Sequence, residues 1–150
     1  MATSRAYPER PILAASIAVF RSGQVLLAER VFPPAARLFS LPGGVVEAGE
    51  SLREAALREL REETGVEAEI VGFNDHVEVI ERDRDDRVAA HFVVASFVGL
   101  WRAGEGTTGP EARRILWLEP EHIDDLAATP QLGPIVRRAA EIARAATLPA

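Results

Sequence analysis

The stretch from Gly49 to Gly65, GESLREAALRELREETG, constrains this chain more than any other. It is written as a helix with both ends specified. Ser51 followed by Glu54 matches a capping box, in which the hydroxyl accepts from a free amide and the carboxylate reaches back. Gly65 suits a left-handed cap at the other end. The residues between are Leu, Ala, Arg and Glu, all good helix formers. A helix starting near Ser51 and stopping before Gly65 follows. At about 100° per residue, Ala56, Leu57 and Leu60 span one side, which must pack on a sheet. Glu59, Glu62 and Glu63 gather on another arc, and Arg58 lies four residues from both Glu54 and Glu62, within pairing distance of either.

The flanks supply the sheet. ILAASIAVF (12–20) and QVLLAER (24–30) are apolar runs joined by RSG, which reads as a hairpin. VFPPAARLFSLPGG (31–44) is a loop rich in Pro, Gly and Ala. After the helix, VEAEIVGFNDHVEVIE reads as one long or bent strand, RDRDD as a polar turn, and RVAAHFVVASFVGLW as a strongly apolar strand. RILWLEP is a short strand, EHIDDL a single helical turn, and PQLGPIVRRAAEIARAA a closing helix with Ile135, Ala139, Ile142 and Ala146 at helical spacing. Strands interleaved with two helices predict an α/β or α+β fold, a mixed sheet covered by helices. At 150 residues the chain fits one domain, 1–150.

Composition then excludes several functions. A net charge of −6 argues against sequence-independent binding to nucleic acid. Without cysteine there is no disulfide, thiolate metal site or cysteine nucleophile, and all 17 basic residues are arginine, which rules out lysine catalysis. No apolar run approaches the roughly 20 residues of a membrane span, and no signal peptide is legible. The expectation is a cytoplasmic protein with no membrane or nucleic-acid partner.

The glutamate cluster has two readings. As a solvated face it loses only tenths of a kcal/mol to repulsion. As a metal site, three convergent carboxylates offer the hard oxygen ligands that Mg2+ or Mn2+ prefers. The preceding LPGGVVEAGE favours the second reading, because adjacent glycines let the backbone approach a ligand closely. Gly44, five residues, Glu50, seven residues, Arg58-Glu59-Leu60, one residue, Glu62-Glu63, one residue, Gly65-Val66: this pattern resembles the Nudix box, and every fixed position of that 23-residue motif is met. The looser resemblance of hairpin, strands and closing helix spans the chain.

The resemblance implies a Nudix-like α/β/α sandwich and a hydrolase that cleaves a nucleoside diphosphate linked to another group, with Mg2+ (or Mn2+) as cofactor. It implies Glu59, Glu62 and Glu63 as metal ligands, joined by the carbonyl of Gly43. One of these three glutamates, or a carboxylate outside the box such as Glu111, would be the general base. It implies Arg58 as the residue that orients a box glutamate, Glu50 as support for the metal site, and Gly44 and Arg30 as substrate contacts. Glu105, Glu78 and Glu81 compete with Glu111. His91 reads as a satisfied sheet residue and His122 as surface. His76 and Asn74 are candidate pocket residues, and one of Phe73, Phe92, Phe97 and Trp101 is a candidate to stack a base.

The box does not name the substrate. The proline that marks many ADP-ribose pyrophosphatases would fall near Arg82, where none stands, and Tyr7 is the only tyrosine. ADP-ribose or a nucleotide sugar is weakly preferred. A nucleoside triphosphate, including oxidised ones, comes next, then a non-catalytic module that senses a nucleotide. A homodimer is an expectation from the resemblance alone.

Overall fold

The computed structural model describes residues 4–31, 36–108, 110 and 112–148. Strands β1 (Ile12–Arg21) and β2 (Gln24–Arg30) form the expected hairpin, closed by Ser22 and Gly23. Both turn residues have positive φ, 50° and 80°, as the tight hairpin turn requires. Two short strands, β3 (Phe39–Ser40) and β4 (Gly43–Val45), lie in what the sequence presents as loop. They are too short to show a period. β4 exists because Ala14, Ala15 and Ser16 of β1 pair with it antiparallel.

Helix α1 (Leu52–Thr64) is capped as expected: Ser51 and Glu54 form both halves of the capping box, and Gly65 sits at φ 69° with its amide on the Arg61 carbonyl. Ala55, Ala56 and Leu60 are fully buried, and burial of Leu60 alone contributes about 1.5–3 kcal/mol. The long strands β5 (Glu67–Arg82) and β6 (Val88–Ala103) pair antiparallel through several register shifts. β7 (Ala112–Leu118) pairs with β2, a 3-10 turn covers Pro120–Asp125, and α2 (Leu132–Thr147) closes the chain.

The sheet is mixed. Its main order is β3-β2-β1-β6-β5, and β1 runs parallel to β6 from Ile12–Phe92 to Phe20–Leu100. Side chains alternate across β1. Ala15, Ile17 and Val19 pack under α1 with Leu60 and Phe97. Ala18 and Phe20 pack on the other face with α2. The sandwich of helices about a mixed sheet is therefore the one expected. The buried face of α2 differs from the expected stripe. It consists of Leu132, Ile135, Val136, Ala139, Ala140 and Ala143, whereas Ile142 is half-buried and Ala146 exposed. An alanine-rich helix fixes its own rotation weakly, and the β-branched pair Ile135–Val136 decides it. No helix among the described residues is long and apolar enough to cross a membrane.

Candidate active site

The site is built where β4 leaves β1 and feeds α1. Gly43 lies so close to β1 that a Cβ would stand 2.5 Å from the Ala15 carbonyl oxygen. Gly44 faces the helix, and a Cβ there would meet the Glu59 carboxylate at 2.5 Å. Only glycine lets this carboxylate lie against the backbone. Glu59 and Glu63 are both buried, each 8% exposed. They share one wall of a cavity of about 650 Å3 with Gly43 and Gly44.

Arg58 organises the carboxylates. Its Nε donates to Glu50 Oε2 at 2.6 Å and one Nη to Glu50 Oε1 at 3.0 Å. The other Nη donates to Glu59 at 2.9 Å and to Glu62 at 3.2 Å, and the Val45 carbonyl accepts a further bond at 3.1 Å. The helix spacing offered Glu54 or Glu62 as partners. Glu54 is instead occupied by the cap, and Glu50 takes its place. The guanidinium's bonds to Glu50, with an added bond from the Glu47 amide, hold the Glu50 carboxyl below its usual range. The same carboxylates, Glu50 first, raise Arg58 further above its ordinary value.

Among the described residues no three carboxylate or imidazole side chains already form a closed metal cage. Arg58 stands between the acids, and the Glu62 side chain is 59% exposed at the rim. The residues nevertheless fit a hard divalent cation. Two buried carboxylates lie beside a backbone cradle that any Cβ would fill, with oxygen donors alone.

The NUDIX domain profile matches residues 10–139. The chain belongs to the Nudix family. It is similar to an ADP-ribose pyrophosphatase of Methanocaldococcus jannaschii, 28% identical over 117 residues that cover 78% of this chain and 67% of that protein. It is also similar to a CTP pyrophosphohydrolase of Escherichia coli, 37% identical over 109 residues, 67% of this chain and 70% of the relative. The crystal structure of a MutT Nudix hydrolase from Burkholderia pseudomallei superposes with a TM-score of 0.70 at 27% identity, covering 89% of this chain and 98% of that one. With other curated relatives the shared stretch is shorter, and the chain spans 43% of the length of a putative 8-oxo-dGTP diphosphatase of Mycobacterium tuberculosis. Family and relatives together make this a Nudix-type hydrolase, of a kind that uses divalent metal cations.

The Nudix box accounts for one wall of the cavity. Arg30, at the end of β2, reaches the same cavity, as does Glu81 of β5. The other competing carboxylates do not. Glu105 is bound by Arg21 at 2.9 Å, and Glu78 stands beside His76. Glu111 lies outside the described residues. Asn74 is buried and donates to the Ile135 carbonyl, tying β5 to α2, and neither it nor His76 lines the cavity. Of the aromatic candidates, Phe97 is core, Phe73 is 53% exposed, and Trp101 lies beneath the Arg21 guanidinium. Phe92 alone of the four lines the cavity. His91 is half-buried in the sheet and His122 is exposed, as expected.

Sequence reasoning missed Arg5, Ser16, Ser40 and Ser96, all of which line the cavity. The signal for two of them was present. Ser16 and Ser96 are lone hydroxyls in the apolar runs ILAASIAVF and HFVVASFVGLW.

Proposed function

We propose that this chain hydrolyses a phosphoanhydride bond in a nucleoside diphosphate linked to another group, with ADP-ribose or a nucleotide sugar as the preferred class and Mg2+ as the cofactor. One observation carries the reading: the buried Glu59 and Glu63 lie against Gly43 and Gly44 at one wall of a cavity large enough for a nucleotide. Glu59, Glu62, Glu63 and the Gly43 carbonyl are the groups that would hold the metal. When bound, a divalent ion neutralises the diphosphate oxygens and lowers the pKa of a coordinated water.

The chain supplies the rest. Arg58 fixes the rotamer of Glu59, and Glu50 anchors Arg58 in turn. Arg30 binds a phosphate oxygen of the substrate. A carboxylate, Glu59, Glu62 or Glu111, takes the proton of the attacking water as the new P–O bond forms and the bridging P–O bond breaks. One domain is sufficient for these steps.

A second reading, a nucleoside triphosphate as substrate, is favoured by the 37% identity to a CTP pyrophosphohydrolase. One panel decides between them. ADP-ribose, nucleotide sugars, the common triphosphates and oxidised dGTP are incubated with protein and Mg2+, and products are resolved by chromatography. Glu62→Gln is expected to lower kcat by orders of magnitude in a folded protein. Absence of any turnover by folded wild type, or near-normal turnover by the variant, contradicts the proposal.

A further inference from the structure

The cavity has a second chemistry away from the carboxylates. Ser16 of β1 and Ser96 of β6 are register partners, and Ser16 Oγ donates to Ser96 Oγ at 3.0 Å. Both line the cavity and both are buried, Ser16 8% and Ser96 0% exposed. Their neighbours along each strand are apolar. Two hydroxyls carry two protons, and their mutual bond uses one. No other side-chain bond to either serine occurs among the described residues. Hydroxyl protons rotate, so a ligand acceptor can turn the Ser16 proton toward the cavity while Ser96 donates to Ser16 instead.

The cavity also has an apolar part. Val77 of β5, Phe92 and Val94 of β6, and Leu132 and Ile135 of α2 line it. A buried donor in a cavity with apolar lining suits a flat ring system with a hydrogen-bond acceptor on its edge. Ser16 is also the strand partner of Gly43, so it lies one strand spacing, about 5 Å, from the glycine that precedes the box.

The geometry points to a nucleobase subsite in which the Ser16 hydroxyl donates to an acceptor on the base, with Phe92 forming part of the apolar wall. The inference rests on the nucleotide reading above and deepens it: the base is held by the face of the sheet opposite α1, and the sugar and phosphates lead from it to the box. Ser16 is thereby a specificity-determining residue, with Ser96 as its hydrogen-bond partner in the sheet.

The test pairs substrates with and without a base: a nucleoside triphosphate against ribose 5-triphosphate, and ADP-ribose against two riboses joined through their 5-oxygens by one diphosphate. Wild type is expected to favour the base-bearing member of the pair it accepts. Ser16→Ala raises KM for that member about three- to tenfold, the loss of one hydrogen bond, which narrows the preference for the base by a similar factor, and an unchanged circular dichroism spectrum shows that the variant is folded. Ser96→Ala breaks the same Ser–Ser bond but leaves the Ser16 hydroxyl in place, so it keeps the preference for the base. Equal cleavage of both members by wild type overturns the inference. So do equal effects of the two variants on the two members, the mark of a purely structural pair. Both outcomes leave the hydrolase reading intact. Failure of every diphosphate to react overturns that reading and this one together.

Discussion

Replacing Gly44 by alanine adds one methyl group at the point where backbone and Glu59 are closest. The new Cβ would stand 2.5 Å from the Glu59 carboxyl carbon and one oxygen, and 2.8 Å from the other. Ordinary contact needs about 3.5 Å, so the carboxylate has to retreat by about 1 Å. It cannot do so freely, because Arg58 holds it at 2.9 Å and Arg58 is itself fixed on Glu50. Overpacking of this kind costs about 1–3 kcal/mol, or roughly 3–10 °C in Tm for a domain of this size. The larger effect falls on turnover. A misplacement of about 1 Å in a catalytic group costs on the order of a hundredfold. The control is Gly23→Ala in the β1–β2 turn. Its φ is 80° and nothing lies within 4 Å of the added Cβ, so it loses about 1–2 kcal/mol through backbone strain alone and keeps its kcat. Steady-state kinetics and thermal unfolding on both variants separate the effects. If Gly44→Ala keeps kcat within about threefold of wild type while Tm falls as in Gly23→Ala, Glu59 does not act where the geometry puts it.

Arg58→Ala removes the cation shared by Glu50, Glu59 and Glu62, and kcat should fall about 10- to 100-fold. Arg58→Lys recovers only part of this, since one ammonium cannot replace the fork that meets Glu50 through two nitrogens. The Glu50 carboxyl is depressed in the folded state. It therefore contributes stability that is fully present above the unfolded carboxylate value of about 4.3 and is lost as pH falls through the lower folded value. Melting curves from pH 6 down to pH 2.5 should fall less steeply for Glu50→Gln than for wild type. Ser51→Ala breaks the capping box and should cost about 1 kcal/mol, read as a lower Tm with kcat unchanged within about twofold.

Features set by nearby residues were legible in the sequence, and those set by distant ones were not. Helix α1 could be read to within a residue because Ser51, Glu54 and Gly65 are local signals, and the hairpin because its turn is. Strand β4 could not, since its pairing with Ala14–Ser16 turns a loop-like Gly-Gly into sheet. The parallel pairing of β1 with β6 joins residues 80 apart, as Ser16 and Ser96 are. It alone puts the two serines in one cavity. Arg58 shows the limit on a smaller scale. Helical spacing named Glu54 and Glu62, and only the course of the loop before α1 could bring in Glu50, eight residues away. The box named Glu59, Glu62 and Glu63. It did not predict that two are buried against glycine while Glu62 stands at the rim.

Calorimetric titration of the folded protein with Mg2+ and Mn2+, alone and with a non-hydrolysable nucleotide diphosphate, addresses the role of the acidic wall directly. Wild type should take up the ion, more tightly with the nucleotide present, and a Glu59→Gln, Glu63→Gln double variant with an unchanged circular dichroism spectrum should not. Equal uptake by the two proteins, or none by wild type under either condition, would contradict the account.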